Sequence, residues 1–250
     1  MKRYFKLLFE KNHWSLYEKI LKLALKNNYN VLSLKEYYNN IEKYKDKKVL
    51  LLRHDVDHSP HDALVMFNIE KKYNIKSTYY FRWVTSQEEI IKEIKDAGFE
   101  VGLHYETLSS YIKANNLKDI NTEHILICKN ILEKEIEEFT LLFGGLNSIC
   151  SHGAIENRLF KVPNTILVDK TIREKYGIFE AYDLKEKFDV YISDNDFTIN
   201  PWKYNTDPIT EIKKRTEKIY FLSHPVHWGR NIIKRYYMKK YRETYNQYNI

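Results

Sequence analysis

The sequence predicts an α/β fold: a barrel of about seven parallel strands built as a single domain over residues 1–250. Three observations carry this. From residue 48 onward, short apolar runs alternate with amphipathic stretches, a rhythm that implies parallel strands joined by right-handed crossovers. No Pro/Gly/Ser-rich linker and no fixed-period repeat divides the chain. Ionisable residues gather at the carboxyl ends of the expected strands, the end where a parallel barrel builds its active site.

The elements follow in order. "SLYEKILKLALKNN" near the start has helical spacing. "KVLLLRHD" reads as the first strand, and "SPHDALVMFNIEKKYN" as a helix with Ser59 at the N-cap and Pro60 at its first position. "KSTYYFRW" is rich in β-formers. "SQEEIIKEIKDAG" has Ser86 and Glu89 at capping-box spacing and Gly98 as a stop. "FEVGLHYE" is the third strand. A long helix is expected near 119–139, with strands near 146–151, 165–168, 188–193 and 218–225. The stretch from Trp228 to about Tyr245 reads as a closing amphipathic helix.

Composition narrows the function. Lys and Arg total 41 and the net charge is +7, but the excess is spread along the chain, which describes a solvated surface. A nucleic-acid-binding module would carry a binding motif, and none is found, so no nucleic-acid partner is expected. Cys128 falls in a helical pattern and Cys150 at a strand end, so both read as reduced thiols. Lys6 and Glu10 interrupt the N-terminal apolar residues, and no later run approaches membrane-spanning length. The expectation is a cytoplasmic protein without stable membrane insertion.

The chemistry concentrates at four strand ends: His54-Asp55-Val56-Asp57, His104-Tyr105-Glu106, Ser151-His152-Gly153 and Ser223-His224-Pro225. Side chains alternate along a strand, so Asp55 and Asp57 share one side while His54 and Val56 take the other. Carboxylates from one strand and imidazoles from others make a mixed oxygen and nitrogen site suited to a divalent cation such as zinc. A carboxylate off the metal can act as base toward water. His58, His61, His124 and His227 are read as caps or hydrogen-bonded residues. Tyr105, Trp202 and Trp228 are equally packing residues or platforms for sugar rings.

"LLRHDVDHSPHDALVMFNIEKKYNIKSTYYFR", followed by "GFEVGLHYE", "SHG" and "LSHPVHW", resembles the polysaccharide deacetylase-like (NodB-homology) family, in a branch associated with bacterial surface-polysaccharide synthesis. The resemblance runs from about residue 48 to 228. It implies a distorted (β/α) barrel and metal-dependent removal of acetyl groups from an N-acetylated sugar or glycan. It further implies that Asp55 is the general base, that Asp57 and His104 bind the metal, and that His224 protonates the leaving amine.

Three of the family's motifs are departed from. The second motif's further histidine is replaced by Leu108, which cannot bind a metal; His152 is favoured as the third ligand, with Glu106 as the alternative. No arginine that would steady the base is found between Phe143 and Gly153, and Trp202 with Asp194 and Asp196 matches the fourth motif loosely. The reading is therefore a zinc-class deacetylase, with a non-catalytic sugar-binding barrel as its alternative.

Overall fold

A computed structural model of the protein describes residues 11–197 and 200–229. In chain order its main elements are α1 (Trp14–Lys26), β1 (Asn30–Leu32), α2 (Leu34–Asn39), β2 (Val49–Val56), α3 (Pro60–Lys72), β3 (Thr78–Phe81), α4 (Glu88–Asp96), β4 (Glu100–Tyr105), α5 (Thr107–Ala114), α6 (Thr122–Phe143), β5 (Ser148–Ser151), α7 (Lys170–Tyr176), β6 (Phe179–Glu180), β7 (Val190–Ser193), α8 (Pro208–Lys214) and β8 (Lys218–Ser223). The described strand pairings are parallel. The fold class is α/β, a distorted (β/α) barrel of seven main strands.

Local signals explain most boundaries. Pro60 opens α3 after Ser59, and Gly98 turns the chain after α4 at φ +81, a conformation open to glycine. The expected capping box at Ser86 does not form: the Ser86 hydroxyl donates instead to the Arg82 carbonyl at 2.9 Å, and α4 begins after Gln87. The strand expected at 165–168 is a 3-10 turn, Asn164–Leu167, following Pro163. The two unexpected strands, β1 and β6, have three and two residues, too few to show alternation. At the C-terminal end Pro225–Trp228 forms a single helical turn, and most of the helix expected up to Tyr245 lies outside the described residues.

The described residues group into two compact units. The first takes residues up to 101 and from 183 onward. Its strands run β7-β8-β2-β3, with β1 along the first half of β2. All eight residues of β2 are buried, which accounts for its continuous apolar run before the charged end. Tyr17, Ile20, Leu50, Leu52, Phe221 and Trp228 lie in its apolar core.

One charged group sits beneath this sheet. Glu70 of α3 is fully buried, its Oε1 2.7 Å from His54 Nε2 and also bonded to the Tyr17 hydroxyl. Its Oε2 accepts from Ser77 Oγ at 2.5 Å and Tyr79 OH at 2.9 Å. His54 Nδ1 in turn meets Ser223 Oγ at 2.7 Å, across a β2/β8 register that pairs His54 with Ser223. Several donors on one carboxylate offset the desolvation that an isolated buried charge would suffer.

The second unit covers residues 102–182. Here β4, β5 and β6 pair in parallel, with His104 opposite Cys150 and Tyr105 opposite Ser151. Asn164, buried, bonds four ways: its Oδ1 accepts from the Leu108 and Ser109 amides, and its Nδ2 donates to the His152 carbonyl and to Asn157 Oδ1. Asn121 and His124 cap α6 reciprocally, as the plain reading of His124 expects. Cys128 and Cys150 are buried and, among the described residues, form no disulfide, and burial pushes the Cys128 thiol up to about 11. Among the described residues, no helix is long and apolar enough to cross a membrane.

Candidate active site

In the first unit the alternation along β2 places Arg53 and Asp55 on one side and His54 on the other, toward Glu70. Arg53 Nε and Nη2 donate to the two oxygens of Asp55 at 2.7 and 2.6 Å, and Nη1 reaches the Tyr220 hydroxyl at 3.2 Å. Both partners are buried. Such a forked, charge-assisted contact fixes the carboxylate in plane and orientation. An arginine therefore does hold Asp55, and it comes from two residues upstream on the same strand. The period-two alternation that pairs Asp55 with Asp57 contains this signal, whereas the stretch from Phe143 to Gly153 does not.

Asp57 follows the last residue of β2. Its backbone carbonyl accepts from Arg82 Nη1 at 3.1 Å, and its Oδ2 lies 3.9 Å from His224 Nε2. His224 follows β8, and its ring is set by Asp194 at the end of β7, with Nδ1 2.6 Å from Asp194 Oδ1. A carboxylate only accepts here, so Nδ1 carries the proton and Nε2 turns toward Asp57. The backbone N–H of His224 and the Trp228 indole N–H both donate to Asp194 Oδ2, at 2.8 and 2.7 Å. His227 Nδ1 lies 3.4 Å from Asp194 Oδ1.

Electrostatics follow from this packing. Burial alone would raise the Asp194 carboxyl, but the His224 and His227 imidazoles outweigh it and hold Asp194 well below the usual carboxylate range. Burial would likewise lower the His224 imidazole, and the Asp194 charge reverses that, leaving it above its ordinary value. His227, read from the sequence as a cap or hydrogen-bonded residue, belongs to the Asp194 cluster; its spacing of three residues from His224 across Pro225 was the signal for a shared site.

In the second unit, His104 is buried on β4, its Nδ1 2.9 Å from the Cys150 carbonyl. A carbonyl can only accept, so Nδ1 is the donor and Nε2 is the acceptor nitrogen of the ring. His152 follows β5; its backbone N–H donates to the Tyr105 carbonyl at 2.8 Å. The His152 and His104 rings meet edge to face at 5.1 Å, and His152 Nδ1 lies 3.2 Å from Glu106 Oε2. Leu108 is buried in the first turn of α5. Tyr105 and Trp228 are fully buried and Trp202 nearly so, which makes them packing residues rather than open platforms.

Asp55, Asp57 and His224 are thus gathered in the first unit, and His104, His152 and Glu106 in the second. No family model matches the chain, and no curated protein does. Solved structures do. A CE4 family pseudoenzyme from Bacillus anthracis is 18% identical over 72% of this chain, at a TM-score of 0.42. A polysaccharide deacetylase from Bacillus cereus is 16% identical over 74% of this chain and 82% of its own, at 0.44. A family 4 carbohydrate esterase from Bacillus anthracis is 15% identical over 81% of this chain and 75% of its own, at 0.39. The chain spans 56% of that pseudoenzyme's length and 64% of the length of two of its variants.

Proposed function

We propose that this protein is a divalent-metal-dependent hydrolase that removes an N-acetyl group from a sugar or glycan precursor, acting as a single domain in the cytoplasm. The observation that carries the reading is Asp55, a buried carboxylate held in a two-point grip by Arg53 on the strand that also delivers Asp57. Two residues of one strand then serve two roles, base and metal ligand.

The ligand set proposed is Asp57, His104 and His152. One carboxylate and two imidazoles suit zinc, and what surrounds the histidines supports the reading: His104 Nδ1 donates to the Cys150 carbonyl, and His152 Nδ1 lies 3.2 Å from Glu106 Oε2. Glu106 then stands behind His152 rather than on the metal. The bound cation would supply Lewis acidity, polarising the acetyl carbonyl and acidifying water. Asp55 accepts the proton of the attacking water. His224, with Nδ1 tied to Asp194, delivers a proton from Nε2 to the departing amine, so that the amide and water become acetate and a free amino sugar. Arg53 keeps the base in place and Asp194 keeps the acid protonated.

Leu108 favours a second reading, a sugar-binding barrel without turnover, because an apolar, buried side chain stands where the resembling family places a ligand. One experiment separates the two. The purified protein is assayed for acetate release from N-acetylglucosamine-type oligosaccharides with zinc or cobalt added, alongside metal analysis. Turnover that requires the metal and vanishes in Asp57→Ala supports the hydrolase; sugar binding without acetate release across the panel supports the binding protein.

A further inference from the structure

Inside the first unit, the ends of β7 and β8 converge on a second cluster that the proposed reaction uses only in part. Asp194, His224 and His227 each offer one ligand atom, and the three atoms lie within 4.8 Å of one another. We propose that these three residues form a second divalent-cation site, of the zinc class and distinct from the one proposed at Asp57, His104 and His152.

The geometry supports it at each residue. Asp194 has its two oxygens assigned to different tasks. Oδ2 is occupied by two fixed donors, the His224 amide and the Trp228 indole, which orient the carboxylate. Oδ1 faces the two imidazoles, with His224 Nδ1 at 2.6 Å and His227 Nδ1 at 3.4 Å. Both rings come from one stretch: His224 precedes the helical turn Pro225–Trp228 and His227 lies within it, and the turn is held by a bond from the His227 amide to the His224 carbonyl at 2.8 Å. The two ring centroids are 5.1 Å apart, with the ring planes tilted by 49°.

Three converging N and O donors on a buried carboxylate are the donor set of a borderline cation. Two imidazoles and one carboxylate leave coordination positions for water, and second-site hydrogen bonds to Oδ2 are the support that metal-binding carboxylates ordinarily have. A cation entering here replaces the proton that His224 shares with Asp194. Binding therefore strengthens as that proton is lost, and ring Nε2 becomes the only nitrogen of His224 still carrying hydrogen. The existence of the site does not depend on the hydrolase reading; its consequence does, since an occupied site would hold His224 as a neutral imidazole, whose Nε2–H is a far weaker acid than the imidazolium, and make excess zinc inhibitory.

The test is zinc stoichiometry on the full-length protein, using the metal alone as the probe. Wild type is expected to bind two equivalents, His227→Gln one, and Asp57→Ala one. Zinc-edge anomalous diffraction from wild-type crystals should show a peak between Asp194, His224 and His227, at coordination distances of roughly 2.0–2.2 Å; this measurement needs no variant to fold. Loss of one zinc in Asp57→Ala with retention of the Asp194 peak shows two separate sites, whereas a wild type that binds a single zinc at Asp194 would sink the catalytic metal reading and leave the second site standing. A saturated wild-type crystal with no peak at Asp194, or a stoichiometry unchanged by His227→Gln in folded protein, overturns the second site.

Discussion

At the scale of single residues, Arg53 and Asp55 form the contact with the largest consequence. Both are buried, so removing one leaves the other as an uncompensated charge, and Arg53→Met is expected to cost about 3–5 kcal/mol of stability. Denaturant unfolding measures this directly; a loss under about 1 kcal/mol, the scale of an exposed pair, would contradict the pairing. Asp55→Asn separates the base from the metal. It keeps the shape of the side chain but cannot take a proton, so turnover should fall by roughly 100-fold or more while bound metal stays at the wild-type level. If the variant keeps full rate while the wild type is an active hydrolase, the base lies elsewhere. His224→Ala should also spare the metal at Asp57 and slow amine departure.

At the scale of elements, Glu70 and Asn164 do comparable work in the two units. Glu70 on α3 ties α1 through Tyr17, β2 through His54, and the β3 region through Ser77 and Tyr79. His54 then extends the chain of contacts to Ser223 on β8. Because His54 and Ser223 directly precede Asp55 and His224, this linkage fixes the register of the strands that deliver base and acid. Ser223→Ala, which removes one partner of His54, is expected to cost about 1–3 kcal/mol. Asn164→Ala releases the amides of Leu108 and Ser109 and the carbonyl of His152 together, a penalty of the same order. The second variant should also weaken metal binding, because the loop carrying His152 loses its tie; equal zinc affinity in wild type and Asn164→Ala would show that the tie is unrelated to the ligand.

At the scale of the whole molecule, the Asp194 cluster makes stability depend on pH from both sides. The folded Asp194 carboxyl lies below its ordinary value of 3.8, so its contribution is present above that value and is lost as pH falls through the folded one. The folded His224 imidazole lies above its ordinary 6.5, so its contribution is complete below 6.5 and is lost as pH rises through the folded value. The pair stabilises the fold most between those ordinary values. Melting temperature against pH should therefore show a broad maximum in that window that flattens in Asp194→Asn. Identical profiles for the two proteins would show that the pair contributes nothing. Saturating zinc should raise the melting temperature by mass action, since the unfolded chain offers no assembled ligand set, and Asp57→Ala should reduce the gain.

What the sequence determined by itself was the order of the main strands and the residue types at their ends. Apolar runs, period-two alternation and Pro or Gly punctuation are local properties, which is why β2, α3, β4, β5, β7 and β8 were legible and why Asp55, Asp57, His104, His152 and His224 could be named. β1 and β6 were not, being too short to show a period, and the turn at Asn164 read as a strand because its apolar residues imitate one. Only the tertiary structure decided which partner each charged group takes. His224 and His227 join Asp194 and His54 turns away to Glu70, whereas the Arg53 grip on Asp55 was already written in the period-two alternation of β2. The physical reason is range: periodicity is written in neighbouring residues, whereas a buried charge is stabilised by whatever donors folding brings within about 3 Å of it, and these come from distant segments of the chain.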